Sequence, residues 1–206
     1  MELIPPHTLI KVSNLAALVP HELPLWAQKM LAQAPYVIVR RGDQGAQIPV
    51  GIRGFNRSQR FATFLPSGQW QKLISPQQAL RYLPNLAKER AKLAAFIKLR
   101  EIMPLLNGYN WGISGSLQFE LVTGIPVVNA ASDVDIILPN LPRMPRREAS
   151  GLIDRLQAVY PEIHTDIQVT KGQNGFSLEE FAQQRADTIL LKTMTGPKLV
   201  TDPWQE

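Results

Sequence analysis

Asp133 and Asp135, in the run SDVDIIL, are the residues of this sequence whose type and spacing most directly suggest chemistry. Residues two apart on a strand point to the same side, so the two carboxylates would project together while Val134, Ile136 and Ile137 anchor the strand. Like charges held that close repel, and a divalent cation relieves the repulsion. Oxygen-only ligands, with no cysteine or histidine beside them, suit Mg2+ or Mn2+. A third carboxylate, Asp166, sits on the polar side of IHTDIQV and could serve that centre as a ligand or as a base.

Upstream, in GISGSLQFELVTG, Gly115-Ser116 falls between a short strand and a helix. Such a turn offers backbone N–H groups and the Ser116 hydroxyl to a phosphate, and the helix dipole favours the anion. Taken alone, the pair also reads as an N-cap serine after a flexible glycine. Arg53, Arg57 and Arg60 crowd into GIRGFNRSQRF beside Gly51 and Gly54. Their forked guanidinium groups suit phosphate or carboxylate, as ligand contacts or as structural ion pairs. Lys192 interrupts TILLKT, either entering the same site or standing exposed on an edge. Trp111 and Trp204 read as core residues or as platforms for an adenine.

These side chains need elements to hold them. YVIVRR (36–41) and QIPVGIR (47–53) read as strands joined by the turn GDQGA, and QRFATFL (59–65) adds another. The opening forty residues hold five of the 17 prolines and read as a loop-rich cap. From Ser75, an N-cap followed by Pro76, helical periodicity predicts a short helix, a break at Pro84 and a long helix towards Leu106. Lys88, Arg90, Lys92, Lys98 and Arg100 then read as its solvated outer face. Beyond residue 109 the elements alternate: strand YNWGIS, helix LQFELVTG, strand VDIILP, helix RREASGLIDRLQAVY stopped by Pro161, strand IHTDIQV, helix SLEEFAQQR opened by a capping box at Ser177, strand TILLKT. Alternation of this kind predicts an α/β or α+β sheet with helices packed on it.

Composition narrows the function classes. The 206 residues contain no cysteine and three histidines, which removes disulfides, thiolate chemistry and multi-histidine metal sites. No apolar stretch is long enough to span a bilayer and no secretory signal is evident, so a soluble cytoplasmic protein is expected. The net charge of +5 is unevenly spread: residues 40–100 carry +10 and the remainder −5. A non-catalytic RNA-binding module is one class this charge would suit. Against it, no run of alternating aromatic and basic residues appears, and the carboxylates cluster where a phosphate backbone would need cations. No nucleic-acid or membrane partner is expected.

The ordered set of Gly-Ser turn, helix, D-x-D strand and later acid resembles the nucleotidyltransferase superfamily of the DNA polymerase β type. WGISGSLQFELVTGIPVVNAASDVDIIL, with IPVGIRGFNRSQRFATFL and LLKTMTGPKLVTDPW, resembles more closely the malonate decarboxylase holo-acyl-carrier-protein synthase family, also called phosphoribosyl-dephospho-CoA transferase. The resemblance implies an α+β fold, with a small β-containing N-terminal lobe at 1–72 and a nucleotidyltransferase-like domain at 73–206. It implies transfer of 2'-(5''-phosphoribosyl)-3'-dephospho-CoA from its triphosphate precursor to a serine of the malonate decarboxylase acyl carrier protein, with pyrophosphate released and Asp133 and Asp135 as metal-binding catalytic residues. Gly115, Ser116, Arg53, Arg57, Arg60 and Lys192 are then expected on the donor's phosphates. Carrier proteins of this kind are typically acidic, so the basic 40–100 segment could also steer docking. The nearest rival keeps the fold and moves AMP or another nucleotide instead.

Overall fold

The structure, a computed structural model, describes residues 3–19, 22–183 and 186–205. It is an α+β protein built on two sheets. The first contains β1 (Leu9–Val12), β2 (Tyr36–Val39), β3 (Gln47–Arg53), β4 (Arg60–Pro66) and β5 (Trp70–Ile74), all antiparallel, in the order β4-β3-β2-β1-β5. One face packs on α1 (Leu25–Gln33): Val37, Val39, Ile48, Val50 and Ile52 meet Ala27 and Leu31 in a closed core. Period-2 alternation along β3 sends Ile48, Val50 and Ile52 into that core and leaves Gly51 and Arg53 on the opposite face.

The second sheet contains β6 (Gly112–Ile113), β7 (Val134–Pro139), β8 (Thr165–Lys171), β9 (Asn174–Ser177), β10 (Ile189–Thr193) and β11 (Gly196–Val200), in the order β11-β10-β9-β8-β7-β6. Among the described residues of this sheet only β7 and β8 pair in parallel. α2 (Pro76–Ala79), α3 (Ala94–Ile102), α4 (Gly115–Thr123), α5 (Arg146–Ala158) and α6 (Leu178–Gln183) complete the chain. The larger core takes Ile136, Leu138, Ile167 and Val169 from this sheet, with Phe96, Phe119 and Leu152 from the helices. Leu9 and Ile74 of the first sheet are buried in the same core, and Tyr36 and Ile38 pack against it. Each fully buried Leu or Ile contributes about 1.5–3 kcal/mol of hydrophobic stabilisation, so this shared core clamps the lobes together. It covers only the β1–β5 side of the first sheet's second face, leaving the β3–β4 side uncovered.

Several sequence expectations need correction. The opening segment is no loop-rich cap: LIKV forms β1, an interior strand between β2 and β5. The capping box at Ser75 and Gln78 forms, but no long helix follows it. Pro84 sits within a 3-10 helix (Leu80–Asn85), Leu93 is extended, and α3 starts only at Ala94. Lys98 and Arg90 do not solvate an outer face. Lys98 is 0% exposed, and its Nζ donates to the carbonyls of Tyr160 and Ile163, where α5 has just ended. Burial pushes its pKa down to about 8, an effect that the Glu162 charge opposes. At Ser177 only half of the capping box forms, because the Glu180 carboxylate accepts from Leu190 N–H instead. The last two residues of SLEEFAQQR lie outside the described residues. Trp204 is a structural residue, edge-on to Phe176 and Phe181 with its indole N–H on Leu141 O. Trp111 packs against the larger core.

Candidate active site

A cleft of about 420 Å3 opens where the uncovered face of the first sheet meets β7 and the start of α4. Arg53, Arg57 and Arg60 line it from one side; Ser116, Asp133 and Asp135 line it from the other. Gly115 lies at the junction of the two groups. Its φ of +64° is a left-handed conformation that suits glycine, and a Cβ there would overlap the Asp135 carboxylate. The glycine therefore lets Asp135 tuck under the helix start. Gly115→Ala should cost about 1–2 kcal/mol of backbone strain and push that carboxylate aside. A misplacement of about 1 Å at an active centre can cost roughly 100-fold in rate, so a loss of about that size in initial-rate assays of the variant is the result expected if Asp135 takes part in the reaction.

α4 begins without a side-chain cap, since Ser114 makes no capping hydrogen bond. The first N–H groups of a helix have no intrahelical acceptor and carry the positive end of its dipole, so the turn at Gly115-Ser116 presents them beside the two aspartates. Asp133 ends the loop just before β7, and Asp135 is the second residue of the strand. Burial, then the charges of Asp166 and Asp133, push the Asp135 carboxyl up to about 6, against the pull of Arg53 and Arg57. Asp166 is in register with Asp135 across the parallel β7–β8 pair; it is exposed and stands outside the cleft lining. Lys192 also lies outside the lining. It is exposed on interior strand β10, on the sheet face that carries Asp135 and Asp166, and its charge is felt at His7.

The cationic side is under strain of its own. Arg53 and Arg60 stand opposite each other across β3 and β4, an unfavourable like-charge pairing. Arg53 is only 6% exposed, yet its Nε has no hydrogen-bond partner among the described residues. Burial and the Arg60 charge pull its pKa down to about 10, opposed by Asp135 and Glu120. Arg57 Nη1 lies 3.6 Å from Asp133 Oδ2, an exposed contact of little energetic weight. An anion between the arginines would satisfy the first two features together.

Sequence reasoning missed two residues here. His7, in the left-handed region at φ 69°, lines the cleft and joins the lobes: its Nε2 meets Gln168 Oε1 at 2.7 Å, and its carbonyl accepts from Gln118 Nε2. Arg41 Nη2 donates to the same Gln168 oxygen. That oxygen is therefore an acceptor, so His7 Nε2 carries the proton and Nδ1 keeps its lone pair. Burial and the Arg41 charge push His7 down to about 4, so the ring is neutral. Nothing local in PPHTL announces this; the contact spans 161 residues. The other is Glu120, 2% exposed, which binds Arg90 through both oxygens and accepts from Val127 and Val128 N–H, fixing the loop that forms the cleft wall at Asn129–Ser132. Its signal was a lone carboxylate inside the apolar run LQFELV.

No group of three acidic or imidazole side chains is placed to wrap a metal among the described residues. Asp133 and Asp135 both line the cleft, and two carboxylates could hold a Mg2+ ion where substrate phosphates supply further oxygens. A second cavity, about 430 Å3 beside the start of α5, carries no comparable chemistry: Arg143 is bound to Asp202 and Arg146 lies over Phe181.

A cleft with carboxylates on one side and crowded guanidinium groups on the other is what a phosphate-handling transferase requires, and comparison with known proteins bears on the class directly. Models of the N-terminal and C-terminal domains of phosphoribosyl-dephospho-CoA transferase MdcG match residues 5–76 and 79–203, so the chain belongs to this family of transferase enzymes. It is 34% identical over 200 residues to the phosphoribosyl-dephospho-CoA transferase of Pseudomonas syringae pv. tomato, covering 97% of this chain and 92% of that one. The protein of that name from Pseudomonas putida W619 is 35% identical over 202 residues, covering 97% and 94%. No solved structure matches the chain. No helix among the described residues is long and apolar enough to cross a membrane.

Proposed function

We propose that the cleft transfers the 2'-(5''-phosphoribosyl)-3'-dephospho-CoA group from its triphosphate precursor to a serine of the malonate decarboxylase acyl carrier protein. The observation that carries this reading is the pairing, within one cleft, of Asp133 and Asp135 with a buried arginine lacking a partner at Nε. Phosphoryl-group transfer is mainly positioning and charge neutralisation, and both signs of charge are present where the phosphates would lie. The domain at 73–206 acts as a nucleotidyltransferase of the polymerase β type, with the lobe at 1–72 supplying the arginines.

Asp133 and Asp135 hold Mg2+ or Mn2+, which when bound neutralises phosphate charge and polarises the phosphoryl oxygens. Gly115 and Ser116 bind phosphate through the first turn of α4, while Arg53, Arg57 and Arg60 take the charge of the departing pyrophosphate. The serine oxygen bonds to the α-phosphorus, the bond from that phosphorus to the β-phosphate oxygen breaks, and the electrons leave with pyrophosphate. Asp166, exposed beside Asp135 and so open to a protein acceptor, takes the hydroxyl proton. Lys192, on the same sheet face, adds positive charge at the cleft's edge. Mass spectrometry of the purified carrier protein tests the scheme. Incubation with the triphosphate donor and wild-type enzyme should add the prosthetic-group mass, and Asp133→Ala or Asp135→Ala should not. An adduct formed from ATP alone would point to nucleotide transfer and overturn the assignment.

A further inference from the structure

The uncovered side of the first sheet continues past the cleft. Ile38 pairs with Gly51, and Gly51 with Ala62, so a row of low relief crosses β2, β3 and β4 on the face that carries Arg53 and Arg60. This row floors a groove of about 360 Å3 flanked by Arg40 and Arg60. Ile38 and Arg60 line both the groove and the cleft, so the two are continuous. Arg40 lies against Gly51, where an added Cβ would come within 3.4 Å of its Cδ, and its side chain makes no hydrogen bond or ion pair among the described residues. Further along the same face of β4, Phe64 is 45% exposed.

We propose that this groove binds the non-reacting end of the donor, its diphosphate and pantetheine arm, an inference that rests on the reading of function above. The donor carries two anionic groups, the reacting triphosphate and the diphosphate of its dephospho-CoA part, joined through two ribose rings. The cleft accounts for the first. Arg40 supplies a further guanidinium for the other, with Arg60 standing between the two phosphate groups at the junction of groove and cleft, and charge-assisted contacts to phosphate are the strong kind. The arm beyond is an uncharged chain of amides and methylenes, which suits a shallow apolar floor better than a deep polar pocket. Glycine and alanine at the centre of β3 and β4 keep that floor clear. Longer side chains there would stand where the arm lies.

Ala62→Trp fills the groove from an exposed position, and Arg40→Gln removes one cation; neither residue is buried, so melting curves should stay at the parent's. Transfer is then measured with the full donor and with 2'-(5''-triphosphoribosyl)adenosine, which keeps the reacting triphosphate and lacks the arm. Arg40→Gln should raise KM for the full donor about tenfold, the size of one lost charged contact, Ala62→Trp should raise it further by blocking the groove, and both should leave the truncated donor's kinetics unchanged. Dephospho-CoA alone should bind the parent and not the Ala62→Trp variant in equilibrium titration. An unchanged KM for the full donor in both variants, or equal damage with both donors, overturns the groove assignment. Dephospho-CoA binding that Ala62→Trp abolishes, without transfer from either donor by the parent, would keep the groove and overturn the catalytic reading instead.

Discussion

Asp135→Asn should give a protein that transfers nothing and melts higher than its parent. The two effects share one cause. Asp135 is half-buried beside Asp133 and Asp166, and its carboxyl is pushed up to about 6. A carboxyl raised in the folded state adds stability below its unfolded pKa, and that contribution is lost as pH rises through the folded value. At pH 7.5 the ionised group therefore costs the metal-free protein about 3 kcal/mol relative to a neutral one. Asparagine has the same shape and fits beneath Gly115 without that charge. Allowing for the amide's own imperfect hydrogen bonding, a gain of about 1–3 kcal/mol is expected, roughly 3–10 °C in Tm for a chain of this size.

The pH dependence makes the prediction specific. The advantage should shrink from its full value above pH 6 towards nothing near pH 4, where both proteins carry a neutral side chain at this position. Scanning calorimetry of the two proteins from pH 4 to 8, without divalent metal, measures it. With the donor already present, adding Mg2+ should raise Tm of the parent further and leave the variant unmoved. An equal response in both would show that the carboxylate does not hold the ion. A destabilised variant at pH 7.5 would mean that the charge is already satisfied within the protein.

The elements that the sequence made legible are those specified locally. The alternation of IHTDIQV buries Ile163, Thr165, Ile167 and Val169, as period 2 requires. Ser75 and Gln78 close their box, and α4 ends at Gly124 in the left-handed conformation that favours glycine. Asp133, Asp135 and the three arginines reach one cleft because each stands on, or beside the end of, a strand whose pattern was readable. What stayed hidden depends on partners distant in sequence. LIKV is too short to distinguish a strand from a loop until β2 and β5 flank it. His7 acquires its role from Gln168, on the other lobe. Lys98 did carry a signal, because it sits on the helical stripe of Ala95, Leu99 and Ile102; charge alone suggested solvent, whereas the open carbonyls of Tyr160 and Ile163 turned it inward.

The largest loss of stability is expected from Glu120→Ala. Glu120 lies on α4, whose residues from Ser116 to Val122 are all buried, so its charge is tolerated because four donor contacts meet it, one at Oε1 and three at Oε2. Oε1 accepts from Arg90 Nε at 2.7 Å; Oε2 accepts from Arg90 Nη2 and from the N–H groups of Val127 and Val128. Alanine would leave those two N–H groups without an acceptor and the partly buried Arg90 guanidinium with the Val128 carbonyl alone. Breaking a buried pair from one side costs about 3–5 kcal/mol, and for a chain of this length that is a fall in Tm of roughly 10 °C. Glu120→Gln keeps an oxygen for the two N–H groups and Arg90 Nη2 but loses the charge and turns an NH2 donor towards Arg90 Nε, so its fall should be smaller than alanine's. The loop held by those bonds also forms the cleft wall at Asn129–Ser132, so KM for the donor should rise in the alanine variant even at temperatures where it is fully folded. Thermal melts of both variants, with donor titrations at 15 °C, measure the two effects. An alanine variant as stable as the parent would mean that the loop is held by its apolar contacts, Val127 and Val128 in the larger core, rather than by the carboxylate.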